Sequence, residues 1–176
     1  MKKPLRSGYT TGACAAAATL GAAQLLRDGQ PSAEVWLTMP AGERVRFVLN
    51  SCRCLGDVAC ASVVKDAGDD PDVTHGVEIF AHLSRIPEDA LQFAAGPGVG
   101  TITKPGLALP VGEPAINPVP RRMIEIALRS VVPAGGFRIE IFRRESSGDL
   151  NSYLTSVSFQ RIRIGLEGHS FIVLLH

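Results

Sequence analysis

The chain has 176 residues, 45% hydrophobic and 20% charged, a balance typical of one globular domain with a real core, although two small domains would also fit. Its formal net charge is +1 and its lysines and arginines are scattered, which excludes the concentrated basic surface expected of a nucleic-acid-binding protein. No apolar run approaches the roughly 20 residues that a helix needs to cross a bilayer, so we expect a cytoplasmic protein without a membrane segment.

The first predicted element is a helix from about Gly12 to Arg27, because Thr10 or Thr11 can cap an alanine-rich stretch that a glycine follows. Alternating residues then predict a hairpin of strands 34–39 and 44–49. Four more strands are predicted at 59–64, 77–83, 90–95 and 137–142. A second helix is predicted after Asn117, with Pro118 at its first position, and it extends to about Val131. This order favours an α+β fold, a two-layer domain of mainly antiparallel strands.

The four cysteines are expected to be free thiols, because the cytosol is a reducing compartment. Cys52, Cys54 and Cys60 leave a soft-metal cluster open as a minor alternative. Their spacing is not that of a zinc site, and no histidine lies nearby in the sequence. We therefore expect no metal held by the protein there.

Residues 65–76 form a predicted loop with an unusual density of carboxylates. Its acidic residues, together with one imidazole, are Asp66, Asp69, Asp70, Asp72 and His75. Such a density costs stability unless cations, backbone N–H groups or a ligand compensate it, so structural Asx-turns and ligand or catalytic work are equally open. The EF-hand order does not fit, although another divalent-cation site stays an alternative.

Two residues of this acidic loop have more than one interpretation. His75 can act as a general acid or base, can offer a nitrogen to a metal, or can simply be hydrogen-bonded. Lys65 can pair with a substrate carboxylate or can be a solvated lysine beside the acidic loop.

Two further segments are candidates for binding a ligand. Residues 96–106 are rich in glycine but match neither the phosphate-loop nor the dinucleotide pattern, so they predict a backbone that approaches a large flat or anionic ligand and offers it N–H groups. Residues 6–11 precede the first helix, and their hydroxyls with the helix N-terminus can bind anionic groups or can serve ordinary capping.

Four long motifs follow one another along the chain, at 6–17, 64–76, 98–107 and 111–121. Together they resemble the CbiD-type cobalt-precorrin-5B C(1)-methyltransferases of the oxygen-independent cobalamin route, from about Leu5 to Phe142. The resemblance implies methylation of C-1 of a cobalt-containing tetrapyrrole by S-adenosylmethionine, which gives cobalt-precorrin-6A, with cobalt carried by the substrate. A corrinoid-binding module or an inactive fragment without methyl transfer is the alternative.

The resemblance also implies a longer enzyme with a second, Rossmann-like domain. Residues 1–142 are then expected to be a CbiD-like N-terminal domain. In residues 143–176 the next motif of the family is not recognisable, so this segment is expected to be divergent, truncated or read in a shifted frame.

The corrinoid is rich in carboxylates, which favour cationic and hydroxyl donors and groups that orient them. The residues expected to bind substrate are Arg6, Tyr9, Thr10, Thr11, Lys65, Asp66, Asp69, Thr101, Thr103, Lys104 and Arg121. The catalytic candidates are His75 and Asp70, and the glycines expected to bind the methyl donor are Gly96, Gly98 and Gly100.

Overall fold

The computed structural model describes residues 8–69, 74–106 and 109–144. Arg6, Asp70 and most of the segment 143–176 therefore lie outside the described residues. The described elements are α1 (Thr11–Asp28), β1 (Glu34–Thr38), β2 (Arg44–Val48), β3 (Ser51–Leu55), β4 (Val58–Val64), β5 (Glu78–Ile86), β6 (Leu91–Ala95), α2 (Pro118–Arg129) and β7 (Gly136–Arg144). Neither described helix is long and apolar enough to cross a membrane.

The strands form a two-stranded antiparallel sheet, β1-β2, and a five-stranded sheet in the order β3-β4-β5-β7-β6. All neighbours pair antiparallel except β6 and β7, which are parallel. Helix α1 packs on β3, β4 and β5 and also against α2. The predicted α+β fold of mainly antiparallel strands with two helices is therefore confirmed.

Helix α1 begins and ends where its capping residues predict. The Thr10 side chain accepts a hydrogen bond from the Ala13 N–H at 3.1 Å, and Gly29 adopts the left-handed conformation with φ of 68°. Every residue of 13–18 is buried, so the helix has no solvent face over these turns. Its small side chains let the backbone lie close to the sheet, and a Cβ added at Gly21 would come within 2.7 Å of the Leu49 side chain.

The structure adds one strand that the sequence did not predict. Strand β3 carries Cys52 and Cys54 and pairs with β4, where Arg53 lies opposite Cys60. Because residues across from one another share a face and successive residues alternate, Cys60 lies on the opposite face from the other two thiols. The soft-metal alternative is therefore wrong, and the described part of the chain contains no group of three metal-binding side chains. All four cysteines are free, as expected.

Three other boundaries differ from the predicted ones by two or three residues. Helix α2 ends at Arg129 rather than near Val131, and β5 extends to Ile86. Strand β7 continues to Arg144, so regular structure passes two residues beyond the predicted domain boundary at Phe142. The division into two domains itself stays a prediction.

The sheet face away from α1 contains buried polar groups. The Glu78 carboxylate is 5% exposed and accepts hydrogen bonds from Asn50, Ser62 and Arg144. His82, also on this face, packs edge-on against Phe142 with ring centroids 4.5 Å apart. Burial, helped by the Arg53 guanidinium, lowers the pKa of His82 from 6.5 to about 4. The imidazole is therefore neutral at physiological pH.

We expect Ala16→Leu to destabilise the chain by about 1–3 kcal/mol, because three added carbon atoms have no space between α1 and its neighbours. Urea unfolding followed by circular dichroism measures the change. Ala41→Leu, in the exposed turn between β1 and β2, is the matched control and should change the free energy of unfolding little. Equal stabilities of the two variants would contradict the tight packing of α1.

We expect acid to destabilise the chain partly through His82. The pKa of His82 is depressed in the folded chain. The imidazole is therefore protonated below pH 6.5 in the unfolded chain but only below about pH 4 in the folded chain. This contribution to stability is therefore fully present above pH 6.5. The free energy of unfolding decreases by roughly 3 kcal/mol as the pH falls to 4. Urea unfolding at several pH values should show a smaller loss in His82→Phe. If the free energies of unfolding of the two proteins decrease in parallel as the pH falls, the proposed contribution of His82 is refuted.

Candidate functional site

The candidate site lies at one end of the five-stranded sheet. Strand β4 ends at Val64, opposite Glu78 at the start of β5, and Glu78 also lies opposite Arg144 at the end of β7. Strand β6 runs parallel to β7 and ends at Ala95, so it leaves the sheet at the same end. The acidic loop after β4 and the glycine-rich loop after β6 therefore leave the sheet three strand spacings apart, about 14 Å.

The segment before α1 docks on the acidic loop. The Tyr9 N–H donates to the Asp66 carbonyl at 2.8 Å, and the Tyr9 ring packs on Phe47 with centroids 4.7 Å apart. A Cβ added at Gly8 would lie 1.9 Å from the Ala67 carbonyl carbon, which no rearrangement of a side chain could relieve. The structure thus brings together two motifs that are far apart in sequence.

Lys65 is part of the framework of the acidic loop. It is 3% exposed, its N–H donates to Val77, its carbonyl accepts from Gly76, and its ammonium group donates to the Thr74 hydroxyl. The interpretation of Lys65 as a solvated lysine is therefore wrong. The hydroxyl of Thr74, which the sequence did not single out, accepts a hydrogen bond from this buried ammonium group.

Polar side chains of the acidic loop also accept hydrogen bonds from the backbone of the same loop. The Gly68 N–H donates to the Asp66 carboxylate at 2.9 Å, which is the Asx-turn that the sequence left open. The Ala67 N–H donates to Nδ1 of His75 at 3.1 Å. His75 and Asp69 are both exposed. Asp70, the other catalytic candidate, lies outside the described residues.

Cys14, in the first turn of α1, is a neighbour of the acidic loop that the sequence did not single out. It has no exposed surface, and burial raises the pKa of its thiol to about 11 although Lys65 opposes the shift. A thiol with this pKa stays protonated at neutral pH, so Cys14 fills space and is no nucleophile.

The glycine-rich loop lies against the end of β7. The Gly96 N–H donates to Ile141 at 2.9 Å, and a Cβ added at Gly96 would lie 2.7 Å from that of Phe142. At Gly98, with φ of 76°, an added Cβ would lie 2.5 Å from Cγ of Arg143. Glycine at these two positions therefore permits close packing on the protein itself.

Gly100 is different, because its nearest contact for an added Cβ is ordinary, 3.7 Å from Ala115. Within the described residues the N–H groups of Gly98, Gly100 and Thr101 donate no hydrogen bond. The loop is braced on residues 112–117, since Ile102 donates to Glu113 and Ala115 donates to Gly100. This bracing leaves Thr101, Thr103 and Lys104 exposed.

Arg121, at the start of α2, holds these braced segments in place. Its Nε donates to the Ile116 carbonyl at 2.8 Å, and its Nη2 donates to the Pro114 carbonyl and the Glu113 carboxylate. The guanidinium also lies over the Phe93 ring at 5.0 Å. Glu113 and Phe93 were not predicted as site residues, because only the folded loop shows that they share one partner.

The start of α2 also packs against the start of α1, since a Cβ added at Gly12 would lie 2.9 Å from Cγ of Pro120. The N-terminal segment thus adjoins both the acidic loop and α2, and α2 holds the braced glycine-rich loop. All four sequence motifs therefore form one continuous contact network at this end of the sheet.

The chain is similar to known proteins over most of its length. Residues 1–148 match the family model described as CbiD. A cobalt-precorrin-5B C(1)-methyltransferase from Burkholderia cenocepacia is 53% identical over 142 residues, 78% of this chain and 39% of the relative. One from Pseudomonas aeruginosa is 54% identical with the same coverage. This chain thus spans about two fifths of the length of these relatives.

A solved structure is similar as well. The crystal structure of a cobalamin biosynthesis protein (CbiD) from Archaeoglobus fulgidus aligns with a TM-score of 0.54 and 27% sequence identity. The alignment covers 78% of this chain and 44% of that one. The similarity therefore extends from the sequence to the fold.

We expect Gly8→Ala to detach the N-terminal segment from the acidic loop, because the new methyl group would overlap the Ala67 backbone. Amide hydrogen exchange should then accelerate at Tyr9, whose N–H bonds to Asp66. Gly100→Ala adds the same methyl group where it makes only ordinary contact and should leave that exchange rate unchanged. An unchanged rate in Gly8→Ala would show that the two segments do not meet.

Proposed function

We propose, from the premise that the chain belongs to the CbiD family, that it is the substrate-binding part of a cobalt-precorrin-5B C(1)-methyltransferase. The reaction transfers a methyl group from S-adenosylmethionine to C-1 of the corrinoid and gives cobalt-precorrin-6A, in anaerobic cobalamin biosynthesis. The relatives that carry this name are longer than this chain, so the complete activity is proposed for the family architecture rather than for these residues alone.

The observation that carries the proposal is the gathering of the four sequence motifs at one end of the sheet. A methyl donor supplies an activated methyl group, so the protein has to bind and orient the ring carbon and exclude water, and little acid–base chemistry is needed. Loops braced by hydrogen bonds are suited to this work, because they hold their exposed donors in fixed positions.

The candidate donors divide into two groups. Thr101, Thr103 and Lys104 are exposed on the braced glycine-rich loop, and Tyr9 with Thr11 lies, partly buried, at the N-terminus of α1. We assign these groups to the carboxylates of the tetrapyrrole, which charge-assisted hydrogen bonds bind strongly. The N-terminus of α1 adds a positive potential that favours an anion.

Lys65, Asp66, Thr10 and Arg121 have a different role in this proposal. Each uses hydrogen bonds within the protein to set the position of a loop, so we assign them as positioning residues. Asp69 stays an exposed candidate for orienting the donors, and Arg6 and Asp70 keep their predicted roles outside the described residues.

The glycine-rich loop fits a methyl donor only through its backbone. Gly96 and Gly98 are packed on β7, so they do not form an open cradle. The N–H groups of Gly98 and Gly100 suit an anionic group such as the carboxylate of S-adenosylmethionine. We propose this limited contact for the methyl donor.

We expect the chain to retain cobalt-precorrin-5B, and Lys104→Ala to weaken retention about tenfold, because one charge-assisted hydrogen bond is lost. An absorbance titration of the purified chain with the pigment measures binding, and methyl-labelled S-adenosylmethionine reports transfer. Arg27→Ala is the matched control, because Arg27 lies at the far end of α1, about 24 Å from Thr11.

The two signals distinguish the outcomes. Pigment retention supports the proposed substrate-binding part whether or not label appears, because the complete activity is proposed for the longer architecture. Label on the pigment would exclude a corrinoid-binding module without methyl transfer. Failure to retain the pigment, or equal weakening by both substitutions, would refute the proposed site.

A further inference from the structure

The two ring nitrogens of His75 have different surroundings. Nδ1 accepts a hydrogen bond from the Ala67 N–H at 3.1 Å, and the side chain is otherwise exposed. A neutral imidazole carries one ring proton, so accepting at Nδ1 places that proton on Nε2. Nε2, on the far side of this exposed ring from the Ala67 hydrogen bond, is therefore an N–H donor.

We propose that His75 binds substrate as a neutral hydrogen-bond donor: Nδ1 fixes the acidic loop, and Nε2–H donates to a carboxylate oxygen of the tetrapyrrole. The inference rests on the proposed function and makes it more specific. It replaces the catalytic role that the sequence suggested for His75 with a binding role of defined tautomer and direction.

The hydrogen bond to Nδ1 opposes two of the roles that the sequence left open for His75, general base and metal ligand. Accepting a proton or binding cobalt through Nε2 requires a lone pair on that nitrogen. A neutral ring would then carry its proton on Nδ1, where it would point at the Ala67 N–H. Two donors would face each other, and the hydrogen bond that connects the two sides of the acidic loop would be lost.

The surroundings of His75 suit an anionic partner. Ala67, which His75 holds, is the residue that Gly8 contacts, so the imidazole lies beside the segment that leads into the N-terminus of α1. The buried Lys65 ammonium lies beneath the same loop. The Asp66 carboxylate accepts the Gly68 N–H, which lessens its repulsion of a bound anion, whereas Asp69 is an exposed carboxylate of the same loop.

Two substitutions separate the two nitrogens. In His75→Asn the side-chain oxygen can take the place of Nδ1 and accept from Ala67, but no donor reaches the position of Nε2. In His75→Gln the amide nitrogen reaches the position of Nε2, but nothing replaces the Nδ1 acceptor. His75→Asn therefore keeps the hydrogen bond that holds the acidic loop but loses the donor to the ligand. His75→Gln keeps the donor but loses the hydrogen bond that holds the loop.

The experiment measures three quantities on the full chain. Long-range ¹⁵N–¹H spectra, assigned by the signal missing in His75→Asn, should show His75 as the Nε2–H tautomer at pH 8. Amide exchange at Ala67 should accelerate in His75→Gln and stay slow in His75→Asn. Titration with cobalt-precorrin-5B should show about tenfold weaker binding by His75→Asn, and a smaller loss in His75→Gln.

Two outcomes would overturn the proposal while the proposed function stands. One is an Nδ1–H tautomer, and the other is His75→Asn binding the pigment as tightly as the unmodified chain with Ala67 still protected. If the unmodified chain does not bind the pigment, the proposed function and the substrate contact fail together. The spectra then still decide the tautomer, and amide exchange at Ala67 decides whether His75 holds the acidic loop.

Discussion

The close packing of α1 is the constraint on which the rest of the structure depends. A helix whose residues 13–18 are all buried must contact protein on every side, and here the sheet and α2 supply those contacts. Only small side chains allow this, because larger ones would push the sheet and α2 away from the helix axis. The N-terminus of α1 is thereby fixed beside the end of β4, which is where the acidic loop begins.

From this fixed point the site is assembled by backbone contacts at glycines. Gly8 allows contact with the acidic loop, Gly12 allows contact with α2, and Gly96 allows contact with β7. At each of these positions a Cβ would meet protein atoms within 3 Å, so the approach is between parts of the chain. The strand order then sets the spacing of the loops, since β5 and β7 separate the acidic loop from the glycine-rich loop.

Much of this fold could be predicted from local patterns, because capping residues, alternation and turn residues act over a few positions. The ends of α1, the hairpin and the start of α2 after Asn117 follow from such signals. Strand β3 could not be predicted in this way, because its half-exposed residues show no alternation and its pairing with β4 decides its conformation. The burial of Lys65 is likewise a tertiary effect, since Thr74 lies nine positions away and is brought close only by the loop.

The site residues show why a motif alone cannot separate residues that build a loop from residues that meet a ligand. Arg121 has the charge expected of a carboxylate binder, yet two of its nitrogens already donate to the loop that precedes α2. His75 uses one of its two ring nitrogens within the protein, since Nδ1 accepts from the Ala67 N–H, and the proposal gives the other nitrogen to the ligand. An N–H already donated within the protein cannot bind a ligand without losing its first partner, so exposed groups whose donors are not used in this way are the stronger candidates for meeting a ligand. By that criterion the exposed donors at the sheet end are the candidates for the proposed binding surface, and Arg121 and Lys65 brace its loops.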